Sequence, residues 1–91
     1  MYKLIEITTP TCSICKMLKP MIEKVVSGYP NLSLIVYDHE EEGAKYFLNL
    51  HNIKSVPAFF FIKEGEISDI HFGAITVPVL KTKIEKLINE G

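Results

Sequence analysis

Cys12 and Cys15, in the segment Cys12-Ser13-Ile14-Cys15, stand where the chain changes from a strand-like to a helix-like rhythm. Before them, Tyr2 to Thr8 is apolar or β-branched except for Lys3 and Glu6. After them, Leu18, Ile22 and Val25 recur at helical spacing, and Met17, Met21 and Val26 are expected to widen the apolar face. Gly28-Tyr29-Pro30-Asn31 ends that helix with two strong breakers. A Cys-x-x-Cys pair at such a junction can close within one helical turn. Its first sulfur then lies at a helix N-terminus, where unpaired N–H groups and the helix dipole favour negative charge. Spacing alone admits either dithiol chemistry or half of a zinc site.

The remaining pattern confines the fold further. Leu32 to Tyr37 reads as a buried strand, and Asp38 as the cap of a second helix with Glu40, Glu41 and Glu42 in its first turn. Ala44, Phe47, Leu48 and either Leu50 or His51 are expected on its buried side, with Asn52 near its end. Pro57 forbids continuation, and Ala58 to Ile62 is a continuous apolar strand. Lys63-Glu64-Gly65-Glu66 reads as a hairpin turn, with Ile67 to Phe72 as the partner strand. Beyond Gly73, Thr76 is expected to cap a last helix carrying Pro78 in its first turn and a stripe of Val77, Leu80, Ile84, Leu87 and Ile88. The order β-α-β-α-β-β-α predicts an α/β fold with a four-stranded mixed sheet flanked by three helices. Its early strands would be parallel and its last pair antiparallel.

Ninety-one residues make one expected domain, 1–91, and the net charge of −1 comes with no basic patch suited to nucleic acid. The longest apolar run, Val56 to Ile62, falls far short of the ~20 residues a membrane helix needs. Met1-Tyr2-Lys3 leads directly into a strand pattern, so no secretory signal and no membrane partner are expected. Two cysteines in such a chain favour a redox or metal role in a reducing compartment, and the cytoplasm is the expected location. A closed zinc site wants four ligands, whereas His39, His51 and His71 are scattered and no second cysteine pair exists. A metal shared between two chains escapes that objection. Phe59, Phe60 and Phe61 read as core residues of a central strand.

With these elements in place, the residues resemble the thioredoxin superfamily over nearly the whole chain. Cys12-Ser13-Ile14-Cys15-Lys16-Met17-Leu18-Lys19-Pro20 is similar to that family's active-site helix, including its kinking proline. Asn52-Ile53-Lys54-Ser55-Val56-Pro57 is similar to the approach to its cis-proline. Lys63-Glu64-Gly65-Glu66-Ile67 resembles the turn before the last strand, and Phe72-Gly73-Ala74 the glycine that ends it. The chain departs from the family at Thr11, where a tryptophan is usual, and at Ser13-Ile14, where Gly-Pro is usual. It lacks the extra N-terminal strand and helix of full thioredoxins, which brings it near glutaredoxin size. Gly73-Ala74-Ile75-Thr76 does not match the segment with which glutaredoxins hold glutathione.

The resemblance implies a minimal thioredoxin-like fold and a thiol–disulfide oxidoreductase acting on protein disulfides. Its electrons would be carried by a Cys12–Cys15 disulfide with no bound cofactor. Cys12, nearer solvent, would attack the substrate, and Cys15 would resolve the mixed disulfide. Glu6 matches a buried acid beneath the second cysteine and would take the proton from Cys15. A charge reaching water or pairing with a lysine is the competing reading of Glu6. A cis Pro57 would leave the Val56 backbone open to pair with an extended substrate segment, whereas a trans proline could simply start an edge strand. Gly73 would allow close approach, and Thr11 and Pro10 would shape the rim. Lys16 would add positive field or be a solvated helix residue. A reductase or glutathione would supply electrons to a monomer. A glutathione-coupled enzyme and a non-catalytic binding module are the alternatives.

Overall fold

The alternation of apolar side chains in the first and third strands decides how the molecule is layered. The computed structural model describes residues 1–50 and 56–89. Its elements are β1 (Tyr2–Thr8), α1 (Ser13–Ser27), β2 (Leu32–Asp38), α2 (Glu42–Leu50), β3 (Ala58–Lys63), β4 (Glu66–Phe72) and α3 (Val77–Asn89). The sheet order is β2-β1-β3-β4, with β1 parallel to β2 and antiparallel to β3, and β3 antiparallel to β4. Successive side chains of a strand point to opposite faces. Leu4, Phe59 and Phe61 accordingly meet Ile22, Val25 and Val26 of α1 and Leu80, Ile84 and Leu87 of α3. Ile5, Ile7, Phe60 and Ile62 face the other way, onto Ala44 and Phe47 of α2.

Expectations for β2, the start of α2, Met17 and Val77 need correction. Leu32 to Tyr37 is not a buried strand: β2 is an edge strand, paired only with β1, and Val36 is 48% exposed. Asp38 does not cap α2. It ends β2 opposite Thr8, its carboxylate accepts the Glu40 N–H at 3.0 Å, and the Glu41 carboxylate accepts the Asp38 N–H at 2.8 Å. Sheet register holds Asp38, so the helix starts later and only Glu42 occupies its first turn. Met17 is 78% exposed, because it lies on the side of α1 away from the sheet. Val77, at the start of α3, is likewise exposed; Leu50, one of the two alternatives for the buried side of α2, is exposed as well. His51, Asn52 and the rest of the segment up to residue 55 lie outside the described residues.

The expected hairpin turn is present, with positive φ at both central positions, 51° at Glu64 and 79° at Gly65. This is the combination that a two-residue connection between twisted strands requires. A Cβ at Gly65 would meet nothing within 4 Å, so only the backbone conformation opposes a side chain there. Gly65→Ala is therefore expected to lower stability by about 1 kcal/mol, and Gly65→Asn by less, in urea unfolding. An unchanged midpoint for the alanine variant would contradict this account of the turn.

Candidate active site

Strand register gathers one end of the sheet into a single place. Ile7 pairs with Ala58 and Ala58 with Phe72. The loop after β1, Pro57 before β3 and Gly73 after β4 therefore emerge together. Gly73 has φ 88°, a conformation open chiefly to glycine, and its N–H donates to the Pro57 carbonyl at 2.7 Å. The Val56–Pro57 peptide is cis, with Val56 half-buried and Pro57 fully buried.

The loop after β1 closes by the Cys12 N–H donating to the Thr9 carbonyl at 3.2 Å, and α1 begins at once. Cys12 is its N-cap: the backbone is extended, and Sγ accepts the Cys15 N–H at 3.1 Å. One orphan donor of the helix start is thus satisfied by sulfur. Cys12 and Cys15 are joined as a disulfide, their Cα atoms 5.3 Å apart. Cys12 is half-exposed and Cys15 only 6% exposed, so the two sulfurs differ in access to a large partner. Thr11 is exposed beside them, its hydroxyl 3.5 Å from that of Thr9.

Glu6 lies on the β1 face covered by α1, in step with Leu4, and is 3% exposed. Among the described residues none donates a hydrogen bond to its carboxyl. Its pKa is raised from the ordinary 4.5 to about 7: burial is the largest cause, the Glu23 charge acts in the same sense and the Lys19 charge opposes them. Glu6 and Cys15 line the same cleft of ≈ 470 Å³, together with Lys16, Lys19, Glu23 and residues of the β1 and β2 ends. The competing reading of Glu6 as a charge reaching water does not fit this burial.

The geometry thus brings Cys12, Cys15 and Glu6 together around the start of α1, and sets Val56, Pro57 and Gly73 at the same end of the sheet. Lys19 and Glu23 were not singled out above. They follow Cys15 by four and eight residues, a spacing that puts all three on one face of a helix. Among the described residues no group of three or more His, Cys, Asp or Glu could hold a metal ion. No helix among them is long and apolar enough to cross a membrane.

A family model described as Thioredoxin matches residues 2–86. An M-type thioredoxin of spinach (Spinacia oleracea) chloroplasts is 28% identical over 86 residues, which are 94% of this chain and 47% of that protein. The chain spans about half the length of several such curated relatives. Among solved structures, thioredoxin O2 of Arabidopsis thaliana in its oxidised state superposes with a TM-score of 0.78 at 25% identity, covering 96% of this chain and 75% of that one. The oxidised thioredoxin of Plasmodium falciparum gives 0.77 at 28% identity, covering 93% and 79%.

Proposed function

Because the chain belongs to the thioredoxin family, we propose that it is a thiol–disulfide oxidoreductase that reduces disulfides in protein substrates through Cys12 and Cys15. The observation that carries this reading is the cysteine pair at the N-terminus of α1, one residue accessible and the other buried beside a cleft that Glu6 also lines. In the reduced protein the Cys12 thiolate, favoured by the helix start, attacks one sulfur of the substrate disulfide. A Cys12–substrate disulfide forms and the first substrate thiolate leaves. Cys15 then gives its proton to the Glu6 carboxylate and attacks Cys12 Sγ. The second substrate thiolate leaves, and the Cys12–Cys15 disulfide forms. Two electrons pass to the substrate without a bound cofactor. A reductase or glutathione, acting on a monomer in a reducing compartment such as the cytoplasm, returns them.

A pKa of about 7 suits Glu6 to this role, since near neutral pH it is part ionised and can still accept a proton. The Val56 backbone beside Pro57 is a place for an extended substrate segment to pair, with Thr11 and Gly73 at the rim.

Thiol counts after equilibration in graded redox buffers test the reading. A two-electron transition near about −270 mV is expected for a reductant of this type. A value near about −200 mV or above would move the assignment toward glutathione coupling or disulfide formation. If no intramolecular disulfide forms at any poise, the chain is a binding module instead.

A further inference from the structure

We propose that β2 is a self-pairing edge. Two copies of the chain join through it, strand antiparallel to strand, about a two-fold axis at Ile35, and their sheets become one. This goes beyond the reading of the cysteine pair and does not depend on it.

An open strand edge is a template for pairing, and it is ordinarily blunted by charge, proline or a bulge. The rim strand β4 follows that rule: Glu66 and Asp69 lie on it, and its register with β3 shifts between Phe61 and Ile62. The rim strand β2 has none of these devices from Leu32 to Tyr37, and its register with β1 runs unbroken from Tyr2 opposite Leu32 to Thr8 opposite Asp38. Nor is it roofed over. A cleft lined by Val36 and Asp38 opens on the α1 face of the sheet, and another lined by Ile35 and Tyr37 on the α2 face.

The backbone specifies the partner. The His39 N–H donates to the Thr8 carbonyl at 2.8 Å, so in this parallel ladder the odd-numbered residues of β2 turn their polar groups toward β1. Leu32, Leu34, Val36 and Asp38 turn theirs outward. Both ends of that row are closed within the chain. The Leu32 N–H donates to the Tyr29 carbonyl at 3.0 Å, the Asp38 N–H to the Glu41 carboxylate at 2.8 Å, and the Asp38 carbonyl accepts the Glu41 N–H at 2.9 Å. Between them, Leu34 and Val36 have no outward partner among the described residues. An antiparallel copy centred on Ile35 sets Leu34 opposite Val36 of the second copy, and Val36 opposite its Leu34. Each such pair exchanges two N–H···O=C bonds, which uses every open group of both residues. On the α1 face the half-exposed Val36 is then covered by leucine. Asp38, the one charge in β2, falls opposite Leu32 and away from its own copy. The row is its own complement, so a second copy of the chain is the occupant it fits. The two cysteine pairs lie at opposite ends of the joined sheet. One pair of strands is a small contact, so the pair forms in concentrated solution and the monomer is the dilute form.

The test is the mass of the full chain by sedimentation equilibrium over rising concentration, with excess small thiol present so that no disulfide links copies. Amide hydrogen exchange is followed in the most dilute and most concentrated samples. The mass should climb toward two chains. The Leu34 and Val36 amides should exchange more slowly in the concentrated sample, whereas those of Ile35 and Tyr37, turned toward β1, should be slow in both. Val36→Lys should raise the dissociation constant roughly tenfold or more, because two valines lose their burial, and Val36→Ile should preserve the pairing. A single-chain mass at every concentration overturns the proposal and leaves the edge to an extended segment of a different protein. A two-chain mass without slowed Leu34 and Val36 amides, or one that Val36→Lys leaves intact, overturns it as well, because the copies then meet through another surface.

Discussion

Cys15→Ser is expected to turn catalysis into capture. The variant keeps the half-exposed Cys12 at the helix start, so attack on a substrate disulfide proceeds and the Cys12–substrate bond forms. The serine hydroxyl cannot displace a sulfur, so the adduct persists. Multi-turnover reduction of a disulfide protein should fall roughly a thousandfold or more, as when a nucleophile is removed elsewhere. Intact-mass analysis should show the chain joined to substrate one-to-one and released by excess small thiol. Cys12→Ser should give neither turnover nor adduct, because the remaining thiol is only 6% exposed. Full turnover by Cys15→Ser would mean that one cysteine suffices, and the two-step exchange would have to be abandoned.

Glu6→Gln is expected to yield a protein that is both more stable and slower. The folded-state pKa of Glu6, about 7, lies above its ordinary value of 4.5. Between these values the folded chain holds a proton that the unfolded chain has released. Stability therefore declines as pH rises from about 4.5 to 7, and the loss is complete above 7. At 1.36 kcal/mol per pH unit the full penalty is about 3 kcal/mol. Glutamine, neutral and of similar shape, removes it. Urea unfolding should show the variant about 3 kcal/mol more stable at pH 8, no different near pH 4, and without the native slope between. The resolving step should meanwhile slow roughly a hundredfold near neutral pH, the scale of a lost general base, and its dependence on a group near pH 7 should vanish. A variant with unaltered stability at pH 8 would show that the native carboxyl is not buried as described. A buried acid retained at such a cost is the kind of trade that function imposes on a fold.

The order of elements was legible because each run carries its own period, and Pro57 and the Lys63-to-Glu66 turn are unambiguous punctuation. Phe59 and Phe61 against Phe60 divide two faces, as a strand buried on both sides must. What was not legible depends on neighbours. An apolar run such as Leu32 to Tyr37 looks the same at the centre or the rim of a sheet, and only pairing reveals β2 as the rim. Asp38 carries a sound local signal for a helix cap, but the ladder to Thr8 outcompetes it. Met17 is apolar without being interior, because α1 is covered on one side only. At the site, the cysteine pair announces itself, and Glu6 stands out as the lone acid of its strand. Lys19 and Glu23 look like ordinary solvated helix charges until the acid beneath them is known.

The sulfur proposed to meet substrate is also the residue that closes the end of α1, since Cys12 Sγ accepts the Cys15 N–H. A hydrogen bond to an ionised acceptor is roughly twice as strong as one to a neutral atom. That hydrogen bond would be stronger to a free Cys12 thiolate than to the sulfur of the disulfide, which itself ties Cys12 to Cys15. Gain or loss of two electrons is in this way written into the backbone as well as the side chains. A bond stronger to the thiolate than to the disulfide sulfur would favour the dithiol state and make the pair a somewhat stronger oxidant than its sulfurs alone would be.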